Sequence, residues 1–136
     1  MLCHDEPVSD AGGPIRSVSA VTLATSDMSA STQFYEAIGF VRLYGGPDTE
    51  FTSYRAGTGF LNIQQDPAHA PNGRIWGRVI FWVADVDATY AQLTGAGYPT
   101  VTTPCDAPWG ERYFHVHDPD GHELSFARPL DPERLV

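Results

Sequence analysis

At 136 residues the chain is most simply one domain, long enough to bury a core without disulfide or metal staples. Hydrophobic residues at 42% and charged residues at 18% exclude an intrinsically disordered chain. Eight basic residues against 17 acidic ones give a net charge of −9, which argues against nucleic acid or an anionic membrane as partner.

The first fourteen residues, MLCHDEPVSDAGGP, are acidic and rich in Gly and Pro. They read as a mobile tail over 1–14 and do not resemble a signal peptide. The two cysteines, Cys3 and Cys105, make no disulfide framework, and no apolar run is long enough to cross a bilayer. A cytoplasmic protein is expected. Its acidity suits a cationic ligand and equally serves solubility.

Residues 21–40, VTLATSDMSASTQFYEAIGF, begin as a β-branched strand. Asp27 follows as an N-cap, and Met28, Phe34 and Ile38 mark the apolar face of a helix of about three turns. Gly39 suits its C-terminal turn. Three strand-like runs come next: FVRLY (40–44), EFTSYRA (50–56) and GFLNIQ (59–64), with Gly, Pro and Asp turns between. A Pro/Asn/Gly linker occupies 66–74. Residues 79–98, VIFWVADVDATYAQLTGAGY, then align with 21–40 without a gap: Val21/Val79, Asp27/Asp85, Ala30/Ala88, Gly39/Gly97, Phe40/Tyr98. Val86, Tyr90 and Leu93 form the apolar face of this second helix. Strands are expected at YPTVTT (98–103), RYFHVH (112–117) and HELSFA (122–127). The chain is thus an α+β protein of two βαβββ modules, 15–65 and 75–130, with a short tail over 131–136.

Alternation assigns the faces. Val21, Leu23, Val79, Phe81 and Val83 pack under the helices, with Phe114, Val116, Leu124 and Phe126 of the last hairpin. Ala20, Thr22, Arg78, Ile80 and Trp82 face the other way, with Tyr113, His115, His117, Glu123 and Ser125. Two sheets facing each other on that side would enclose a ligand cleft.

FYEAIGF (34–40), VADVDATYAQL (83–93) and DPDGHELSF (118–126) resemble the vicinal-oxygen-chelate superfamily: glyoxalase, extradiol dioxygenases, fosfomycin-resistance enzymes and bleomycin-resistance proteins. The resemblance runs from about Ser17 to Pro129. PWGERYFHVHDPDG (108–121) and RIWGRVIFWVADVD (74–87) are most similar to the bleomycin-resistance branch. The resemblance implies open, curved sheets around a cleft and a homodimer with ligand sites composed at the interface. It places the metal ligands of the enzymes at Ala20, Asn62, Arg78 and Ser125. A methyl group cannot coordinate, a guanidinium has no acceptor and repels cations, and Ser and neutral Asn bind transition metals weakly. The usual metal site is therefore expected to be absent, with no cofactor and no catalytic residue assigned.

His115, His117 and Glu123 share the open face, and two histidines with a carboxylate form a known Fe(II) ligand set. Spacing i, i+2 on a strand fits that set only moderately. His115 alone occupies the place where the resemblance to fosfomycin-resistance enzymes implies a cavity-facing tyrosine; it contacts ligand or forms a hydrogen-bonded wall. Trp76, Trp82 and Trp109 are core or interface aromatics, or they stack on a flat ligand. Arg78 pairs with Glu123 or with a ligand oxygen. Tyr113 and Ser125 complete this candidate site. Phe51, Tyr54, Phe60 and Asn62 are pocket candidates of which at least half serve packing. Glu36, Asp87 and Asp106 read as solvated charges. No Ser/His/Asp triad, Walker loop, dinucleotide fingerprint or basic stripe is present. The expected function is metal-free sequestration of a planar aromatic antibiotic or natural product. The alternative is a glyoxalase- or dioxygenase-like metalloenzyme using the displaced His115/His117/Glu123 set.

Overall fold

The structure is a computed structural model in which residues 13–131 and 133 are described. Nearly all of the expected N-terminal tail, Cys3 included, and most of 131–136 lie outside the described residues.

The first module runs β1 (Ala20–Thr25), α1 (Met28–Ile38), β2 (Arg42–Tyr44), β3 (Phe51–Ala56) and β4 (Gly59–Gln65). The second runs β5 (Arg78–Trp82), α2 (Val86–Gly95), β6 (Cys105–Ala107), β7 (Glu111–His117) and β8 (Glu123–Pro129). Each module forms one four-stranded sheet, ordered β1-β4-β3-β2 and β5-β8-β7-β6. The opening strand pairs parallel with the closing strand in each, and the remaining pairs are antiparallel. The repeat in sequence is thus a repeat in topology.

Each helix starts where an aspartate can accept from the first orphan amides. Asp27 accepts from the Ala30 N–H and Asp85 from the Ala88 N–H, both at 3.0 Å. Gly39, at φ 120°, closes α1, whereas α2 closes on Ala96 with Gly97 at φ 96° just beyond. Leu23, Phe34, Tyr35, Leu61, Leu93 and Phe126 are among the fully buried side chains of one core that spans both modules. Each such side chain contributes roughly 1.5–3 kcal/mol by leaving water. Phe34 meets Tyr98 edge-on at 5.0 Å, and Phe40 meets Phe81 at 5.1 Å, so aromatic pairs tie the modules together.

One expected strand is corrected. YPTVTT (98–103) is not a strand; the ladder partner of β7 is Cys105–Ala107. Pro99 and Pro104 cannot donate to a ladder. The amides of Val101 and Thr102 both reach the single carbonyl of His115, at 2.9 and 3.4 Å, in place of regular pairing.

The DPDG turn (118–121) forms a second joint between the modules. Asp118 Oδ1 accepts from the amides of Asp120 and His122, holding the turn, while Oδ2 accepts from the buried Tyr35 hydroxyl at 2.6 Å. Burial pushes the Asp118 carboxyl above its ordinary value, against the opposing hydrogen bond from Tyr35. Burial, and then the Asp118 charge, push the Tyr35 hydroxyl well up. Asp120 Oδ1 accepts from the Ser26 amide at 3.0 Å. The linker joins in through His69, which stacks on His122 at 5.0 Å.

Candidate functional site on the open faces

Strand register sets the second sheet's open face out in rows across β5, β8 and β7. The first row is Arg78, Glu123 and His117; the second is Ile80, Ser125 and His115; the third is Trp82, Ala127 and Tyr113. The last hairpin therefore points its residues as alternation predicts. Phe114, Val116, Leu124 and Phe126 are buried on the helix side.

In the first row, Arg78 donates Nε–H to Glu123 Oε2 at 2.6 Å, and its Nη2 forms an ion pair with the same oxygen. Glu123 Oε1 lies 3.1 Å from His117 Nε2, which must carry the proton because a carboxylate only accepts. Glu123 is only 7% exposed. Burial opposes its charge, but the hydrogen bonds from Arg78 and His117 outweigh burial and hold the carboxyl below its ordinary value. Both its oxygens are thereby committed to neighbours.

In the second row Ser125 is buried, and His115 Nδ1 is buried with no hydrogen-bond partner among the described residues. Burial, then the nearby Arg78 charge, depress the His115 pKa, so the imidazole is neutral at pH 7. In the third row an aromatic ladder climbs the sheet. Trp109 stacks on Tyr113 at 6.0 Å and 24°, and Tyr113 leans on His115 at 4.9 Å. The Trp109 indole N–H donates to Glu111 at 3.0 Å. Trp82, at 46% exposure, Ile80 at 55% and Trp109 at 64% leave this face uncovered in the single chain.

On the first sheet's open face, Asn62 donates to the Thr22 hydroxyl at 3.3 Å, and the Phe51 ring lies 6.4 Å from Tyr44. Arg55 sits 4.7 Å above the Phe60 ring, an attractive cation–π contact. That pair was not anticipated, although the register Arg55↔Phe60 follows from alternation in EFTSYRA and GFLNIQ.

Not every candidate falls on these faces. Trp76 donates its indole N–H to His122 Nδ1 at 2.8 Å and lines a separate cavity of about 370 Å³ with His69, Pro71 and Arg74. Tyr54 is fully buried and bonds Glu36, so it serves packing. Glu36, Asp87 and Asp106 are not free solvated charges: Glu36 pairs with Arg42, and Asp87 and Asp106 both pair with Arg112. A cavity of about 620 Å³ lies at the seam between modules, lined by Phe40, Val41, Ile80 and Trp82 among others.

The residues at the enzymes' ligand positions do not fit a divalent metal. Ala20 offers a methyl group, Asn62 turns its amide to Thr22, and Arg78 brings a cation already paired with Glu123. Ser125 is a buried hydroxyl in mid-sheet. Among the described residues, no three His, Cys, Asp or Glu side chains are grouped to hold a metal ion. No helix among the described residues is long and apolar enough to cross a membrane.

Comparison with known proteins agrees with the topology. A 48-residue stretch is 44% identical to an uncharacterized protein of Mycobacterium tuberculosis, covering 35% of this chain and 28% of that one. The chain therefore matches less than a third of that relative's length. TioX from Micromonospora sp. ML1 superposes with a TM-score of 0.68 at 29% identity, over 85% of this chain and 100% of that one. A bleomycin-binding protein in complex with bleomycin superposes at 0.66, with 21% identity over 84% and 98% of the two chains. At that identity the second likeness shows the fold alone. The family model described as Glyoxalase/Bleomycin resistance protein/Dioxygenase superfamily matches residues 17–126, so with its paired βαβββ sheets the chain belongs to that superfamily.

Proposed function

We propose that this protein is a metal-free binding protein that sequesters a planar aromatic antibiotic or other natural product. One observation carries the reading: Arg78, at a position where the resemblance implies a metal ligand in the enzymes, is ion-paired with Glu123 on the floor of an exposed aromatic face. A cation fixed there opposes a divalent metal and leaves Trp82, Tyr113 and Trp109 as the means of holding a ligand. The ligand is held between open faces that a second copy brings together, because Ile80, Trp82 and Trp109 stay exposed in one chain. The bleomycin-binding protein of the same fold supports this reading. Action would be stoichiometric, in the cytoplasm, with the toxin kept from its target.

The test is elemental analysis of protein purified without chelator, before and after exposure to Fe(II), Mn(II), Zn(II) and Ni(II), followed by tryptophan-fluorescence titration with planar aromatics. No stoichiometric metal together with saturable quenching is the expected result. One metal per chain, lost in His115→Ala, would establish the displaced His115/His117/Glu123 set and overturn the proposal.

A further inference from the structure

We infer that Arg78, held by Glu123 and flanked by His115, is a subsite for an uncharged oxygen of the ligand, so that the sequestered molecule is a neutral hydroxylated or quinone-like aromatic. The inference rests on the planar-ligand reading and narrows it to one class. It runs against the overall charge of −9, which by itself favours a cation.

The charge on the two open faces differs from that of the whole chain. By register, the charged side chains of the described strands on these faces are Arg78 and Arg55 against Glu123 and Glu111, a local balance of zero. Glu123 is only 7% exposed and bonded through both oxygens, so a cationic ligand would have to displace Arg78, an exchange of one cation for another that returns nothing. A ligand cation would instead find only the N–H donors of the ion-paired guanidinium, which offer it no acceptor. An anionic ligand would lose its hydration only to find Arg78 already neutralised and the Glu123 carboxylate next to it.

A neutral oxygen meets neither obstacle. Arg78 has five N–H donors and spends two groups, Nε and Nη2, on one oxygen of Glu123. Its side chain is 39% exposed on the open face, with no further hydrogen bond among the described residues. A carbonyl or hydroxyl oxygen can accept there without bringing a charge of its own to desolvate. The ladder of Trp109 and Tyr113 with Trp82 then receives the ring system. A planar ring carrying an uncharged oxygen toward Arg78 is the shape these rows accept.

The test titrates the full chain, by tryptophan quenching, with three tricyclic probes of similar area: dihydroxyanthraquinone (neutral), proflavine (cationic) and anthraquinone carboxylate (anionic). The neutral probe is expected to bind at least tenfold more tightly than either charged one. Arg78→Met alone would strand the buried Glu123 charge, so the informative variant is Arg78→Met with Glu123→Gln, which keeps an acceptor for His117. It should weaken the neutral probe about tenfold and erase the preference. If a charged probe binds as tightly as the neutral one, or if the double variant keeps the preference, the inference is overturned while planar binding stands. If none of the three quenches saturably, planar binding itself is overturned and the inference goes with it.

Discussion

Trp76 and His122 fix each other's chemistry. An indole N–H can only donate, so His122 Nδ1 accepts it at 2.8 Å, and the ring proton must sit on Nε2, which donates to the Ala24 carbonyl at 2.8 Å. The neutral imidazole thus bridges β1 of one module to the linker side of the other. Trp76→Phe removes the donor and leaves Nδ1 unsatisfied, which should cost about 1–3 kcal/mol in urea unfolding. Probe binding on the open face should not change. A loss of binding without a loss of stability would place Trp76 in the ligand site after all.

The buried Tyr35–Asp118 pair predicts a pH dependence of known sign. Burial raises the folded-state pKa of Asp118 above its unfolded value, so the native state holds that proton more tightly. This group's contribution is most favourable below the ordinary carboxylate range. It declines as pH rises from that value to the raised one, by up to about 1.4 kcal/mol per pH unit. Glu123 acts in the opposite sense, since its lowered pKa gives stability that is lost as pH falls through the folded value. Asp118→Asn isolates the first effect. The variant should be about 1–3 kcal/mol less stable at low pH, with the gap to wild type narrowing as pH rises through the window. A gap that widens there would refute the assignment.

His115 should titrate below the ordinary imidazole value, because burial and then Arg78 disfavour its charge. Its ring-proton NMR shifts measure this directly. Arg78→Met with Glu123→Gln should move the midpoint back only slightly, since burial is the larger cause and losing the Glu123 charge offsets part of losing Arg78. An unshifted midpoint in wild type would mean that the ring is solvated.

Ile80, Trp82 and Trp109 line one uncovered face, and Leu43 and Tyr44 stay exposed on β2 of the other sheet. Sedimentation equilibrium should therefore find a dimer, and Ile80→Asp should shift it toward monomer by setting a charge in the apolar patch. Trp82→Ala should weaken the neutral probe about tenfold while leaving secondary structure intact. A monomeric wild type that still binds probe would remove the second copy from the site.

Much of this was legible in the sequence for a physical reason. Alternation and capping are local, so Asp27 and Asp85, the buried Phe114/Phe126 side and the outward Arg78, His115 and Glu123 could be assigned residue by residue. Arg78 pairing with Glu123 was one of two alternatives read from the sequence, and the parallel register of β5 with β8 brings that pair together. Trp76 was not legible, because its partner His122 lies 46 residues away and no periodicity connects them. The strand at Cys105–Ala107 was missed because β-rich composition in YPTVTT outweighed its flanking prolines.

The DPDG joint also bears on how the chain is made. The amide of Ser26 and the carbonyl of Ala24, at the end of β1, find partners in Asp120 and His122. During synthesis these groups must wait until the DPDG turn, over ninety residues further along the chain, has left the ribosome. The first module can form its sheet early, but its junction is completed last. The two modules thus depend on each other at this turn, and expressing the first half alone should give a soluble fragment only if water takes the place of that turn.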